Sequence, residues 1–214
     1  MQYAHRALLA AALLSACTNP RADQPDRPID LDDSSLSPGT YRARFETSRG
    51  VFVVSVIRAW SPRGADRFHL LIKRGFYQET RFFRVVPGFI IQWGIHRDPS
   101  VHAQWTGAQI LDDPPIDQSN VKGTVAFATS GPNTRTTQVF INLADNERLD
   151  GRGFTPFGKV TEGMEIVEKL YSGYGDAPPK GQGPAQELIT AQGNSYLAKN
   201  FPRLDYIQKA EVVP

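Results

Sequence analysis

Residues 82–94 read Phe-Phe-Arg-Val-Val-Pro-Gly-Phe-Ile-Ile-Gln-Trp-Gly, two β-rich runs joined by Pro87-Gly88. Proline at the second position of a turn and glycine at the third is the signature of a type II turn, because proline presets its φ and glycine accepts a positive one. The pattern therefore predicts a hairpin with strands over 81–86 and 89–93. Runs this apolar belong in a core, and Arg84 and Gln92 stand out within them. A strand arginine either snorkels outward along its aliphatic stem or lines a cavity that needs a donor. Strict alternation sets Ile90 and Gln92 on one face and Phe89 on the other.

The rest of the chain reads as further β-hairpins and short helices. Strands are predicted over 41–47 and 51–60 about the turn Ser48-Arg49-Gly50, over 121–129 and 137–143 about Gly131-Pro132-Asn133, and over 154–160 and 204–213. Residues 65–74 carry Phe68, Leu71 and Ile72 at helical spacing, and Gly75 is placed to cap the end. Residues 163–171 and 185–199 are the other predicted helices, the latter interrupted by Gly193. Residues 96–119 read as loop, and 173–184 as a Gly/Pro-rich connector. The 214 residues are 40% hydrophobic, enough for one good core, and the net charge of +2 gives no field suited to nucleic acid. His69, His96 and His102 lack metal-ligand spacing, and no metal or other cofactor is expected. Ser130 has no nucleophile-elbow context, which argues against a serine hydrolase.

The first 39 residues stand apart. Arg6 and the apolar run 7–14 read as a signal peptide over 1–16, because the run is far short of the roughly 20 residues that span a bilayer. Leu14-Ser15-Ala16-Cys17 resembles the bacterial lipobox, which implies lipidation at Cys17, the single cysteine of the chain. Residues 17–39 then form a Pro-, Asp- and Ser-rich tether with a mean reach of about 25 Å, followed by one domain over 40–214. The lack of aspartate after Cys17 resembles the outer-membrane sorting pattern. The expected place is the cell envelope or periplasm, with contact to a membrane only through the lipid.

Three blocks carry a wider resemblance. The first is Phe82, Arg84-Val-Val-Pro-Gly-Phe89, Gln92 and Gly94; the second is Gly123–Thr134 with Thr137, Gln138, Phe140 and Ile141; the third is Leu149-Asp150-Gly151 with Phe157-Gly158-Lys159-Val160. Their order and spacing over roughly residues 41–170 resemble the cyclophilins, the barrel-type peptidyl-prolyl isomerases. The resemblance implies a mainly β fold: a closed antiparallel β-barrel of about eight strands capped by two helices, with an extra C-terminal helix. It implies an isomerase assisting protein folding, with proline-containing polypeptides as partners and a monomeric state; the alternative is a groove that binds proline peptides, as a holdase, without catalysis.

Residue by residue, the resemblance makes Arg84, Phe89 and Gln92 catalytic. Ile90, Phe140 and Leu149 line the proline pocket with Phe89, Gln138 orients arginine and substrate, and the Ala128 and Thr129 backbone pairs with an extended peptide. Having Phe89 share a site with Ile90 and Gln92 requires a bulge or strong twist after Gly88. Phe83 stands where many members have histidine, Thr129 where asparagine is common, and Arg148 where cyclosporin-sensitive members have tryptophan. Phe154, in a segment one residue longer than the family's, is placed to fill part of the pocket.

Overall fold

The computed structural model describes residues 36–114 and 117–214. The expected signal peptide, Cys17 and residues 18–35 of the expected tether lie outside the described residues.

Strands β1 (Thr40–Thr47), β2 (Gly50–Ile57), β3 (Arg84–Val86), β4 (Ile90–Trp93), β5 (Thr124–Phe127), β6 (Val139–Asn142), β7 (Pro156–Glu162) and β8 (Ile207–Val213) form one antiparallel sheet. Its order is β3-β4-β6-β5-β7-β2-β1-β8. Register shifts at Glu46/Thr47, Val53/Val54 and Val125/Ala126 bend the ladder, as bulges do, and the sheet curls into a half-barrel. The last strand pairs with the first, as expected. The outer strands β3 and β8 meet through the residues just before them. Arg81 bridges Tyr206, Phe82 N–H donates to Asp205 O (3.0 Å), and Glu79 N–H donates to Ile207 O (2.7 Å). This use of residues 79–82 is why β3 is shorter than the run 81–86 read from sequence.

Alternation decides what goes inside. Tyr41, Ala43 and Phe45 of β1, Phe52, Val54 and Val56 of β2, Ile91 and Trp93 of β4, and Val139 and Ile141 of β6 all join the main core. Phe45 stacks on Phe52 with ring centroids 4.9 Å apart, and Phe68 meets Phe157 at 4.7 Å. Each fully buried side chain of this size contributes about 1.5–3 kcal/mol of transfer free energy.

Helix α1 (Pro62–Lys73) packs Ala65, Phe68, Leu71 and Ile72 into that core and contacts β7 and β8. Pro62 opens it, and Asp113 accepts from the N–H groups of Arg63 (2.9 Å) and Gly64 (3.0 Å), which the helix itself leaves unpaired. Gly75, at φ +65°, closes it by donating to Ile72 O (2.9 Å). Ser37, within the stretch read as tether, is buried and donates from its N–H and hydroxyl to Asp66 on α1 (2.9 and 2.8 Å).

Helix α2 (Pro99–Thr106) corrects the loop reading of 96–119. Its start signal is ordinary: Asp98 accepts from Ser100 N–H (2.8 Å), Pro99 occupies the first turn, and Val101 and Trp105 are buried one turn apart. The predicted helix 163–171 is regular only as α3 (Met164–Val167), which lies against β2. Helix α4 (Gln186–Asn200) bends at Gly193. That residue has φ +57°, and a Cβ there would lie 2.0 Å from Arg97 O, so only glycine lets α4 come down on the segment leading into α2. Asn194 N–H takes the freed approach and donates to Arg97 O (2.9 Å).

Candidate active site

The outer faces of β4, β5 and β6 do not face water. Ile90, Ala126 and Phe140 form a small apolar cluster with Leu149, and Phe89, Ala128 and Phe154 pack on it. This cluster floors a cleft with a cavity of about 280 Å³. Arg84, Gln92 and Gln138, with Thr129, Ser130, Thr134 and Thr136, form its polar side.

The turn 87–89 explains how Phe89 reaches this face. Val86 pairs with Ile90 in the β3–β4 ladder, yet the turn bond runs from Phe89 N–H to Val86 O (3.0 Å), with Gly88 at φ +70°. Phe89 is therefore the extra residue of a three-residue loop, outside the alternation of β4. The β3–β4 register is unbroken, so no bulge is needed: Phe89 lies in the turn, before the alternation of β4 begins at Ile90.

Arg84 begins β3, at one edge of the sheet. Its Nη1 donates to Gln92 Oε1 (3.1 Å), and Gln92 Nε2 donates in turn to Gln138 Oε1 (2.8 Å). These three residues stand on adjacent strands or just beside them, so their outward side chains meet. The other edge of the guanidinium is held by Asp176, through Nε to Oδ1 (2.8 Å) and Nη2 to Oδ2 (2.9 Å). Partial burial of Asp176 opposes its ionisation, but the hydrogen bonds and charge of Arg84 outweigh that and hold its carboxyl below the usual aspartate range. Two guanidinium groups face Phe89: the Arg84 Cζ lies 5.6 Å from its ring centroid and the Arg148 Cζ 4.8 Å.

A chain of buried amides lies behind the apolar floor. Asn146 Nδ2 donates to Phe89 O (2.9 Å) and to Asn142 Oδ1 (2.8 Å). Asn142 Nδ2 donates to Asn120 Oδ1 (3.1 Å) and Thr124 Oγ1 (2.9 Å). Asn120 Nδ2 donates to Asp150 Oδ1 (2.7 Å) and Phe154 O (2.8 Å). Asp150 is drawn below the usual aspartate range because bonds from Ser119 and Asn120 outweigh its desolvation. This chain ties the backbone of Phe89 to the 3₁₀ turn Glu147–Arg152 that carries Leu149, and to Phe154.

Residues 42–189 match the family model described as cyclophilin type peptidyl-prolyl cis-trans isomerase/CLD. The chain belongs to the cyclophilin family. A peptidyl-prolyl cis-trans isomerase of Acinetobacter baylyi is 35% identical over 130 residues, covering 58% of this chain and 69% of that protein. A peptidyl-prolyl cis-trans isomerase-like 1 protein of Emericella nidulans is 36% identical over 132 residues, covering 59% and 78%. Among solved structures, a cyclophilin type peptidyl-prolyl cis-trans isomerase of Cryptosporidium parvum superposes with a TM-score of 0.61 at 22% identity, over 82% of this chain and 98% of that one. A second structure of it, obtained in the presence of the dipeptide Ala-Pro, gives 0.60 at 22% identity over 81% and 99%. The chain is thus a cyclophilin-type isomerase with the cyclophilin fold.

All ten residues named from the sequence line this one cleft: Arg84, Phe89, Ile90, Gln92, Ala128, Thr129, Gln138, Phe140, Leu149 and Phe154. One expectation narrows. Ala128 N–H already donates to Gln138 O (2.9 Å) and is therefore not open to an added peptide strand. Sequence reasoning missed Asp176, Gln186 and the three asparagines. Gln186, the first residue of α4, lines the cleft. The asparagines carried a usable signal, since polar residues beside apolar strands must find partners once buried. Asp176 carried none within its Gly/Pro-rich surroundings.

Phe83, at the position of the family's frequent histidine, is turned away from the cleft. It is buried with Ile95, Ile189, Leu197 and Leu204 in a second core, against which Tyr174 packs. Its partners come mostly from the segment after α3, so an apolar residue at 83 fits the added C-terminal helix.

Proposed function

We propose that this cyclophilin isomerises X–Pro bonds in proline-containing polypeptides of the cell envelope, with Arg84 as the donor that favours the twisted amide. Resonance gives the amide a barrier of about 18–20 kcal/mol, and rotation moves the nitrogen lone pair out of conjugation. A donor aimed at that nitrogen acts only on the twisted form, which is differential binding of the transition state. The guanidinium offers five N–H groups, of which three are engaged by Asp176 and Gln92. The remaining two, one on each Nη, are free for substrate among the described residues.

The proline ring sits over Ile90, Phe140 and Leu149, walled by Phe89 and Phe154, while the preceding carbonyl swings in the open part of the cleft. Gln92 and Gln138 orient the arginine and the peptide, and the Thr129 backbone pairs with the extended chain. The observation that carries this reading is the guanidinium lining the same cavity as the apolar floor. The Ala-Pro dipeptide used with the Cryptosporidium protein is of the expected substrate class. The same reading takes the half-barrel as closing between β3 and β8, supported by the Arg81–Tyr206 bridge. It takes the protein as a monomer exported with its signal peptide and held to an envelope membrane, the outer one in a double-membraned cell, by a lipid on Cys17.

The test is the isomerisation rate of a model X-Pro peptide with the full chain, alongside peptide affinity. Acceleration lost in Arg84→Ala supports the mechanism; tight peptide binding with no acceleration by the wild type returns the non-catalytic groove. For location, the native protein should partition with membranes and Cys17→Ser should leave unprocessed precursor. A soluble mature form beginning beyond residue 17 overturns the anchor.

A further inference from the structure

The segment after α3 is longer than a barrel needs. Residues 173–184 follow α3, turn back on themselves with Gly183 N–H donating to Asp176 O, and lead into α4. Asp176, on the outgoing arm of that turn, delivers one carboxylate to Arg84. We infer that Asp176 is a positioning residue for the isomerase reaction: it fixes the Arg84 guanidinium in its working orientation before substrate arrives. The inference rests on the reading of Arg84 as the catalytic donor.

Arg84 needs such a partner. It lies on β3, with no laddered strand on its far side, and an arginine side chain carries about 2 kcal/mol of rotamer entropy. A donor stabilises a transition state best when already aimed, with nothing left to reorganise. Gln92 supplies a single bond at Nη1, about which the guanidinium can still swing. The two parallel bonds of Asp176, at 2.8 and 2.9 Å, fix the plane and its rotation together. They occupy Nε and Nη2, leaving one N–H on each Nη for the cleft.

The carboxylate is itself held. Asp176 Oδ1 accepts from Ala177 N–H (2.8 Å), and Asp176 O accepts from Gly183 N–H (2.8 Å). Gly181 lies so close that a Cβ there would stand 2.2 Å from Asp176 O. Gln182 N–H donates to Tyr174 O (3.1 Å), and Tyr174 packs on the second core, which contains Phe83, the residue next to Arg84. A stiff turn anchored beside the arginine therefore carries the acid. Both side chains are largely covered, 23% exposed for Arg84 and 19% for Asp176, so water competes only in part for the bonds that set the guanidinium.

The experiment measures kcat and KM on an X-Pro peptide for the full chain, Asp176→Ala, Asp176→Asn, Arg84→Ala and the double variant Arg84→Ala/Asp176→Ala. Asp176→Ala should lower kcat roughly ten- to a hundredfold, with KM changed less than about twofold. Asp176→Asn, of equal size but unable to accept both bonds, should fall between it and the wild type; it also decides the matter if the alanine variant loses its fold. Asp176 removal should have no further effect once Arg84 is alanine. Wild-type kcat in both Asp176 variants, while Arg84→Ala is impaired, overturns the positioning role and leaves the catalytic reading of Arg84 intact. An Asp176 effect that persists undiminished without Arg84 overturns it too, because the residue then acts elsewhere. Unimpaired Arg84→Ala removes the catalytic reading, and this inference with it.

Discussion

Two faces of the same strands have opposite characters. On β4, Ile91 and Trp93 join the main core, while Ile90 and Gln92, one residue away, line the cleft. On β6, Val139 and Ile141 face the core, and Phe140 and Asn142 face out. Burial does not separate the faces: Ile91 and Trp93 are 0% exposed, but Phe140 is only 3% and Gln92 5%. What separates them is how side chains are held. Inside, rings pack on rings, and Trp93 Nε1 has no hydrogen-bond partner among the described residues. Outside, Arg84, Gln92, Gln138 and three asparagines are fixed by directional bonds. Dispersion and burial need only filled volume, whereas aiming a donor needs geometry. Stability should therefore depend on the inner face and turnover on the outer one.

The largest effect should come from the inner face. Phe127→Ala deletes a ring 5.3 Å from that of Phe157 at a 1% exposed site and should cost about 3–5 kcal/mol of stability, read as a urea midpoint. A midpoint close to the wild type would break the comparison.

Arg84→Ala is the converse. Turnover should fall about ten- to a hundredfold, the value of one charge-assisted hydrogen bond, while stability, read from the urea midpoint, changes by no more than about 1 kcal/mol for a part-exposed ion pair. Arg84→Lys should rescue poorly, because an ammonium lacks the planar fork. A collapsed midpoint with normal turnover would make Arg84 structural.

Asn142→Ala tests whether the outer face is held by its polar chain. It leaves Asn120 and Asn146 short of a partner and should cost about 1–3 kcal/mol. Because Phe89 and Leu149 lose their shared support, peptide KM should rise more than kcat falls. An unchanged KM would detach the amide chain from the site.

The smallest effect concerns acid. The folded-state carboxyl of Asp176 titrates below its ordinary value, chiefly because bonds and charge from Arg84, with Lys180 adding charge, outweigh desolvation. Its stabilisation is thus present above the unfolded aspartate value and is lost as pH falls through the lower, folded value. The wild type should exceed Asp176→Asn in stability by at most about 1 kcal/mol near neutrality, with the gap closing only below the usual carboxylate range. A gap that closes nearer neutrality would show that Asp176 is not held as described.

Much of the fold and site is legible in the chain. Pro87-Gly88 dictates its turn through the φ values each residue allows, and Gly75 ends α1 for the same reason. Alternating apolar residues set the sheet faces, and the three blocks span all the named cleft residues but Phe154, which lies in the longer segment within the third. These are short-range properties, fixed within a few residues, or a pattern shared with a family. The start signal of α2 is equally local, in Asp98-Pro99, but these two residues suit a loop as well as a helix start, and so residues 96–119 read as loop.

What only the tertiary structure decides are partnerships across long stretches of chain. Asp176 meets Arg84 across a separation of 92 residues, and Asn146 supports the Phe89 carbonyl across 57. Phe83 finds Ile189 and Leu197 on α4, and Gly193 bends that helix to fit Arg97 O. No periodicity encodes these meetings, because local conformational preferences do not fix which distant surfaces touch. Sequence determined that an arginine would stand over an apolar floor; the packing of the C-terminal segment determined which acid holds it there.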